Sequence, residues 1–560
     1  MSSILLMLVG LSAMSLGYLF YSKFIAERIY RLDPDYRTPA HTMGDGVDYV
    51  PTNRFVLWGH HFTSVAGAAP IVGPAIAVIW GWGPAFLWVT LGTIFFAGVH
   101  DFGALWASAR NRGQSIGMLS GRLIGARGRS LFLVVIFLVL LMVNGAFAAV
   151  ISNLLVSTPT SVIPVWGAII VALLIGQAIY RYKVGLLWPS IIGVAVLYAL
   201  ILLGNAVPVV LPETVLGLSA KSVWILLLFA YAAIASLLPV WVLLQPRDYI
   251  NGLQLFVGLG LLYTAVLFGA PEIVAPAFNT ALPDNTPSIV PLLFVTIACG
   301  AISGFHGLVA SGTTSKQLDK ETDARFVGYF GAVGEGMLSL AAIICCTAGF
   351  ATLVDWQAVY TAFGTGGVNA FVTGGGTLLA NGLGLPADLG ATILAVMAIL
   401  FAGTTMDTGL RLQRFVIQEA GELAGIRVNT LVGTVLAVGV CMTLAFGAGA
   451  DGSGGMIIWP LFGTTNQLLA GLTLAIITVI LIKKGRPAIY TLVPLVFLLA
   501  MSIFALLVQM GQFYRAENWL LLGMDVVILI AALWVTLESF IAMRQGRDPV
   551  EADAPGEARE

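Results

Sequence analysis

Long apolar runs recur along all 560 residues of this chain, and its positive charge is confined to every second gap between them. With the runs read as membrane spans, only Lys221 and Arg515 of the 27 Lys and Arg residues fall on the opposite side from the rest. That asymmetry is the positive-inside pattern, and it orients every span before any motif is read. Lipid admits only backbone that satisfies its own hydrogen bonds, so the spans are expected to be helices. Composition agrees: 58% of residues are hydrophobic and 10% charged, with a mean hydropathy of +0.94, against about 25% charged in soluble domains. Membrane helices tolerate Gly and Pro, so the 64 Gly and 24 Pro do not oppose helix.

The expected fold class is an all-α polytopic membrane protein of about 15 transmembrane helices, each near the ~20 residues that cross the hydrocarbon. The loop after the first run carries Lys23, Arg28, Arg31, Arg37 and Arg54, which places it in the cytoplasm and the N-terminus outside. Arg544 and Arg547 place the C-terminus inside, in a membrane of the bacterial inner type. The first run has no basic start and no A-x-A exit, so it reads as a retained helix and not a cleaved signal. Five divisions are expected: a first helix and basic loop (1–58), two halves of a core (59–222 and 223–428), additional helices (429–543) and a disordered acidic tail (544–560). The long Gly-rich outer segment Asp355–Asp388 reads either as a short re-entrant or interfacial element or as plain loop.

The second span is interrupted at Ala66-Gly67-Ala68-Ala69-Pro70-Ile71-Val72-Gly73-Pro74. Prolines here free backbone carbonyls, which survive at membrane depth only inside protein or beside a cavity. Five spans later, in a helix of opposite direction, Ala235-Ser236-Leu237-Leu238-Pro239 offers a second break. Interrupted helices at matching places in two halves are the sequence pointer to an inverted-repeat transporter, here a 5+5 core. Ala68, Ala69, Gly73 and Ser236 are the expected substrate-binding positions, although simple proline kinks in packed helices would look the same.

Ionisable groups inside a membrane are costly and therefore candidate functional sites. Helix directions place His60, His61, His100, Asp101, His306, Glu335 and Asp407 in the cytoplasmic half. They admit a proton relay, a site for Na⁺ or a divalent metal, or an ordinary solvated boundary. Asp101, His306, Glu335 and Asp407 are the candidate ion-coupling residues, with Ser311, Thr313 and Thr314 as hard-oxygen partners; His60, His61 and His100 are the candidate metal ligands. Asp407 also has Arg411 four residues on, within reach on one helix face. No Lys or Arg falls within the expected spans, so an anionic solute would have to be held by helix N-termini and hydroxyls at the breaks.

Other classes find little support. There is no phosphate loop and no H-E-x-x-H, so no enzyme and no ATP-driven pump is expected. Net charge is −1 and no basic-aromatic stripe suggests nucleic acid. Cys299, Cys345, Cys346 and Cys441 lie in apolar runs and read as small core residues. No cofactor is expected; the coupling ion is H⁺, with Na⁺ or a divalent metal as alternatives.

Four stretches also carry a family resemblance: Gly59-His60-His61-Phe62-Thr63-Ser64 through Pro74, Val99-His100-Asp101-Phe102-Gly103, Gln245-Pro246-Arg247-Asp248-Tyr249 and Cys299–Lys316. They closely resemble the carbon starvation protein A (CstA) family from about Leu16 to Met510. The resemblance implies a bacterial inner-membrane carrier that imports pyruvate with protons, or peptides, on a LeuT-like inverted-repeat core. A metabolite-binding membrane sensor and an intramembrane metalloenzyme are the alternatives from other classes.

Overall fold

The computed structural model describes residues 2–185, 187–284, 286–447 and 454–545. Its helices are α1 (Ser3–Tyr30), α2 (Arg54–Ala66), α3 (Ala69–Trp80), α4 (Trp82–Ala109), α5 (Ile116–Ile124), α6 (Ala126–Ser157), α7 (Pro159–Ile179), α8 (Leu187–Ala206), α9 (Ala220–Leu237) and α10 (Leu244–Gly269). There follow α11 (Ile289–Thr296), α12 (Gly304–Gly312), α13 (Glu321–Ala348), α14 (Leu353–Val359), α15 (Gly367–Leu383), α16 (Ala387–Leu423), α17 (Thr430–Phe446), α18 (Trp459–Lys483), α19 (Ile489–Arg515) and α20 (Trp519–Arg544). Among the described residues 12 helices are long and apolar enough to cross a membrane, or 13 with the bent pair α2–α3 taken as one span. The further expected spans correspond to α11–α12, whose parts have 8 and 9 residues, and to α17, with 17. The chain is an all-α polytopic membrane protein, with one β-hairpin among the described residues, at Thr214–Val215 and Leu218–Ser219.

The first break is where the sequence puts it. α2 and α3 meet at an angle of 43°. Gly67, at φ +57°, makes the turn, and a Cβ there would lie 2.5 Å from the Phe147 ring and 2.8 Å from Thr405 Oγ1. Pro70 falls in the first turn of α3, where its missing N–H costs nothing.

The second break is elsewhere than expected. Ala235–Pro239 does not interrupt a span: α9 ends at Leu237, and the chain turns into α10 at Leu244. The other interrupted helix is α11–α12, with residues 297–303 unwound between the two parts. The physical reason is local. A proline at a helix end breaks nothing, whereas Gly300 at φ +99° cannot continue a helix.

The two breaks touch. A Cβ on Gly73 would meet the Thr296 carbonyl oxygen at 2.5 Å, and one on Gly300 would meet Pro70 Cα at 3.4 Å. Around them α2–α3, α4, α11–α12 and α13 pack as one bundle, and the long helices α6 and α16 pack against each other beside it. The segment Asp355–Asp388 is mainly helical: α15 lies on α10, α13 and α16, its Gly374 pressed against Gly349. The tail expected to be disordered lies outside the described residues from 546 onward.

The basic loops gather on one face. Arg110 forks onto Glu321 at 2.5 and 2.7 Å, Arg129 Nη2 donates to Glu419 at 2.5 Å, and residues 37 and 52 bridge to 320 and 318. At the opposite face, Ser3 N donates to the Pro271 carbonyl and Asn279 N to that of Trp80.

Gly67→Ala would force a side chain into Phe147 and Thr405 at a left-handed backbone. It is expected to cost about 1–3 kcal/mol and to lower the thermal midpoint in detergent. An unchanged midpoint would contradict the tight approach at this bend.

Candidate transport site

Behind the second break, three helices bring titratable groups together. Asp101 on α4 accepts from two histidines: His100 Nδ1 lies 2.7 Å from its Oδ1 and His306 Nδ1 2.7 Å from its Oδ2. The other nitrogen of His306, on α12, lies 3.3 Å from Glu335 Oε2 on α13. All four side chains are buried. The sequence grouped Asp101, His306 and Glu335 by depth alone, and the structure joins them through one imidazole. One turn beyond Glu335, Ser339 Oγ donates to the Pro70 carbonyl at 3.0 Å and fills the space beside Gly300. The helix that carries Glu335 therefore touches both breaks.

Side chains from outside the bundle satisfy the backbone that the breaks expose. Thr404 Oγ1 on α16 donates to the Thr63 carbonyl at 2.9 Å, and Thr405 Oγ1 to the Ser64 carbonyl at 3.0 Å. At the start of α12, Phe305 N donates to Asn466 Oδ1 on α18 at 2.8 Å, and Asn466 Nδ2 lies 3.0 Å from Ser303 Oγ. Lipid offers no water to do this work, so each cap is supplied by protein.

A second buried cluster lies toward the basic face. Asp248 on α10 takes His60 Nδ1 at 2.7 Å and Ser64 Oγ at 3.2 Å on Oδ2, and Arg247 Nη2 at 3.3 Å on Oδ1. Arg247 Nη1 donates to Asp407 on α16, which also accepts from Tyr231 OH on α9 at 2.9 Å.

The remaining sequence candidates divide. Ala68, Ala69 and Gly73 sit at the meeting of the two breaks. Ser236 does not: it lies at the end of α9, its carbonyl accepting from Arg414 Nη1 at 2.6 Å. Asp407 pairs with Arg247 and not with Arg411, whose Nη2 caps the Ala235 and Leu238 carbonyls instead. Ser311 and Thr313 donate to carbonyls of their own helix, at Gly307 and Val309, so they do not form a free oxygen cluster; only Thr314 reaches a titratable group, His61, at 2.9 Å. The histidines expected to share a metal, His60, His61 and His100, turn to three different partners, Asp248, Thr314 and Asp101. Among the described residues no three His, Cys, Asp or Glu converge as a metal site.

The expected spans hold no Lys or Arg, but the helices run beyond them: Arg247 opens α10 and Arg411 and Arg414 lie within α16, all buried. Spans drawn to exclude charge had excluded them. Arg247, Asp248, Tyr231 and Asn466 were not among the site residues expected from sequence. For the first two the signal was present in Gln245–Tyr249, where an Arg-Asp pair sits against a long apolar run.

Asn466→Leu leaves the Phe305 amide without its acceptor. It is expected to cost about 1–3 kcal/mol of stability, read as a lower detergent melting temperature, while Asn466→Asp, which keeps an acceptor, loses less. Equal behaviour of the two variants would contradict the capping role.

Comparison with known proteins follows the same lines. Residues 2–354 and 348–505 match the family model of the carbon starvation protein CstA. The peptide transporter CstA of Campylobacter jejuni is 32% identical over 572 residues, covering 90% of this chain and 80% of the relative. The pyruvate/proton symporter BtsT of Escherichia coli K12 is 32% identical over 612 residues, covering 92% and 84%. The peptide transporter CstA of Bacillus subtilis is 31% identical, covering 89% of each chain. A manganese transporter of Eremococcus coleocola superposes over 90% of this chain and 99% of its own at 10% identity, with a TM-score of 0.47 that is too loose to build on. By motif and by extent of match, the chain belongs to the carbon starvation protein CstA family.

Proposed function

We propose that this chain is a secondary active transporter that brings a small carboxylate, pyruvate before peptide, into a bacterial cytoplasm together with protons. The observation that carries this reading is the contact of two interrupted helices with a buried His-carboxylate cluster directly behind them. Relatives named as a pyruvate/proton symporter and as peptide transporters support the two cargo classes. The basic face is the cytoplasmic one by the charge rule.

Helix packing supports a 5+5 inverted repeat with boundaries different from equal halves. One unit is α2–α3, α4, α6, α9 and α10; the other is α11–α12, α13, α16, α17 and α18. Each opens on an interrupted helix. The third members, α6 and α16, pack together, and α9 and α17 each lie on both of them. The fifth members, α10 and α18, lie on the interrupted helices α2 and α12 and on the opposite unit's long helix. In this arrangement α7–α8 is an insertion in the first unit and α14–α15 in the second. The two units run in opposite directions, so the paired breaks come to a common depth, an arrangement suited to alternating access.

Proton coupling is favoured over sodium by how the break is capped. The Thr63 and Ser64 carbonyls are the hard oxygens a sodium ion would seek, and Thr404 and Thr405 already donate to them. His306, by contrast, stands between two carboxylates and can carry a proton at neutral pH. A proton gained there changes the charge on α13, whose Ser339 holds the Pro70 carbonyl. Occupancy of the cluster and geometry of the breaks are thereby linked.

The test is uptake of labelled pyruvate into proteoliposomes with a proton or a sodium gradient imposed in turn. Accumulation should follow the proton gradient and vanish when it is collapsed. Glu335→Gln should abolish accumulation yet keep exchange of internal for external pyruvate. Driven uptake that survives in Glu335→Gln would remove Glu335 from coupling. Peptide uptake without pyruvate uptake would keep the carrier and change its cargo.

A further inference from the structure

The Arg247 cluster has no part in that scheme. Its side chains are nearly sealed: Arg247 is 4% exposed and Asp407 1%. Arg247, Tyr231 and Trp166 line one half-open pocket of about 30 Å³ between α6, α7, α9, α10 and α16, whose other walls are apolar residues that include Leu228 and Ile399. The space suffices for about one or two waters. Two donors of its lining residues have no acceptor, the Nε–H of Arg247 and the indole N–H of Trp166. Buried donors are almost always paired. Unpaired donors from two helices around one cavity therefore point to an acceptor that enters it.

Charge decides when it can enter. Arg247 faces two carboxylates, Asp248 and Asp407. With both ionised the group is net negative and repels an anion. With Asp407 protonated the guanidinium faces one carboxylate, and an incoming carboxylate can take the place that Asp407 gives up. The titratable and charged groups facing Asp407 are Tyr231 on α9, Arg247 and Asp248 on α10, and, through Asp248, His60 on α2. On its own helix Arg411 turns away, to the α9 carbonyls and to Asp48 at 3.8 Å. The only charged residues of α6 are Arg127 and Arg129, in its first turn, and α17 has none.

We propose that Arg247 binds the carboxylate of the transported acid, with Trp166 as a second donor, and that Asp407 is the proton-dependent competitor for the same guanidinium. A proton adds to the Asp407 carboxylate, its ion pair with Arg247 Nη1 gives way, and the substrate carboxylate accepts in its place. Loss of the proton returns Asp407 to Arg247 and expels the acid. Each ligand alters the affinity for the other by the same factor, so substrate and proton bind together. Pyruvate is larger than the present cavity, so binding includes movement of α7, which carries Trp166, away from α9 and α16. The proposal rests on the reading of the cargo as a small carboxylate and adds a site distinct from the His306 cluster.

The test is equilibrium binding of labelled pyruvate to the purified full chain at mildly acidic and mildly alkaline pH, with pyruvate uptake by the wild type measured alongside. Wild type should bind more tightly at acidic pH. Asp407→Asn, neutral at both, should bind with a much smaller pH dependence than wild type, the His306 cluster supplying what remains. Trp166→Phe, which removes only the indole donor, should weaken binding roughly tenfold, the loss of about one hydrogen bond to a charged acceptor. The full wild-type pH dependence retained in Asp407→Asn, or unchanged affinity in Trp166→Phe, overturns the proposal while leaving the carrier intact. If Asp407→Asn does not fold, Trp166→Phe alone decides. A wild type that neither binds nor carries pyruvate overturns the cargo reading, and this site with it.

Discussion

Every helix end inside this protein must be satisfied by protein, because lipid offers no hydrogen bonds. Three sets of caps meet that demand, and the rest of the architecture follows from them. Thr404 and Thr405 take the carbonyls at the end of α2, Asn466 takes the amide at the start of α12, and Arg411 and Arg414 take the carbonyls at the end of α9. The caps come from α16 and α18, outside the bundle that contains the breaks. In addition to their apolar packing, the interrupted helices are thus tied to the frame by a few polar contacts. Contacts of that kind can be exchanged, which is what a carrier that changes shape requires.

The two charged clusters use the same economy. A lone ion buried in this environment is prohibitive, and removal of one partner from a buried pair costs about 3–5 kcal/mol. His306 is therefore flanked by Asp101 and Glu335, and Arg247 by Asp248 and Asp407. His60 and His61, adjacent on α2, face different partners: Asp248 in one cluster and Thr314 at the end of α12. One turn of the first interrupted helix thus connects both regions.

Much of this was legible in the sequence, for identifiable reasons. Charge alternation gives the spans because few interactions oppose it. The bend at Gly67 is visible because Gly and Pro crowd together there. Asp101, His306 and Glu335 could be grouped because helix direction fixes depth, but depth alone did not separate them from His60 and Asp407, which pair with Asp248 and Arg247. The second break was misplaced because proline was taken as the mark of interruption. At Pro239 the helix was ending anyway, and the real break is made by glycine and serine at Gly300, Ser303 and Gly304. Arg247, Arg411 and Arg414 fell outside the expected spans because a charged residue next to an apolar run looks like the end of the run. Only tertiary partners, acidic side chains and freed carbonyls on other helices, make those arginines tolerable inside.

The central claim is that solute and proton cross together, through a site governed by buried carboxylates. It is tested most directly in vesicles that hold the protein and a pH-sensitive dye, with a pyruvate gradient imposed, the membrane potential clamped and no pH gradient at the start. Pyruvate moving inward should acidify the interior beyond what protein-free vesicles show, with or without sodium present. Pyruvate entry that leaves the interior pH unchanged, or that occurs only with sodium, would contradict it.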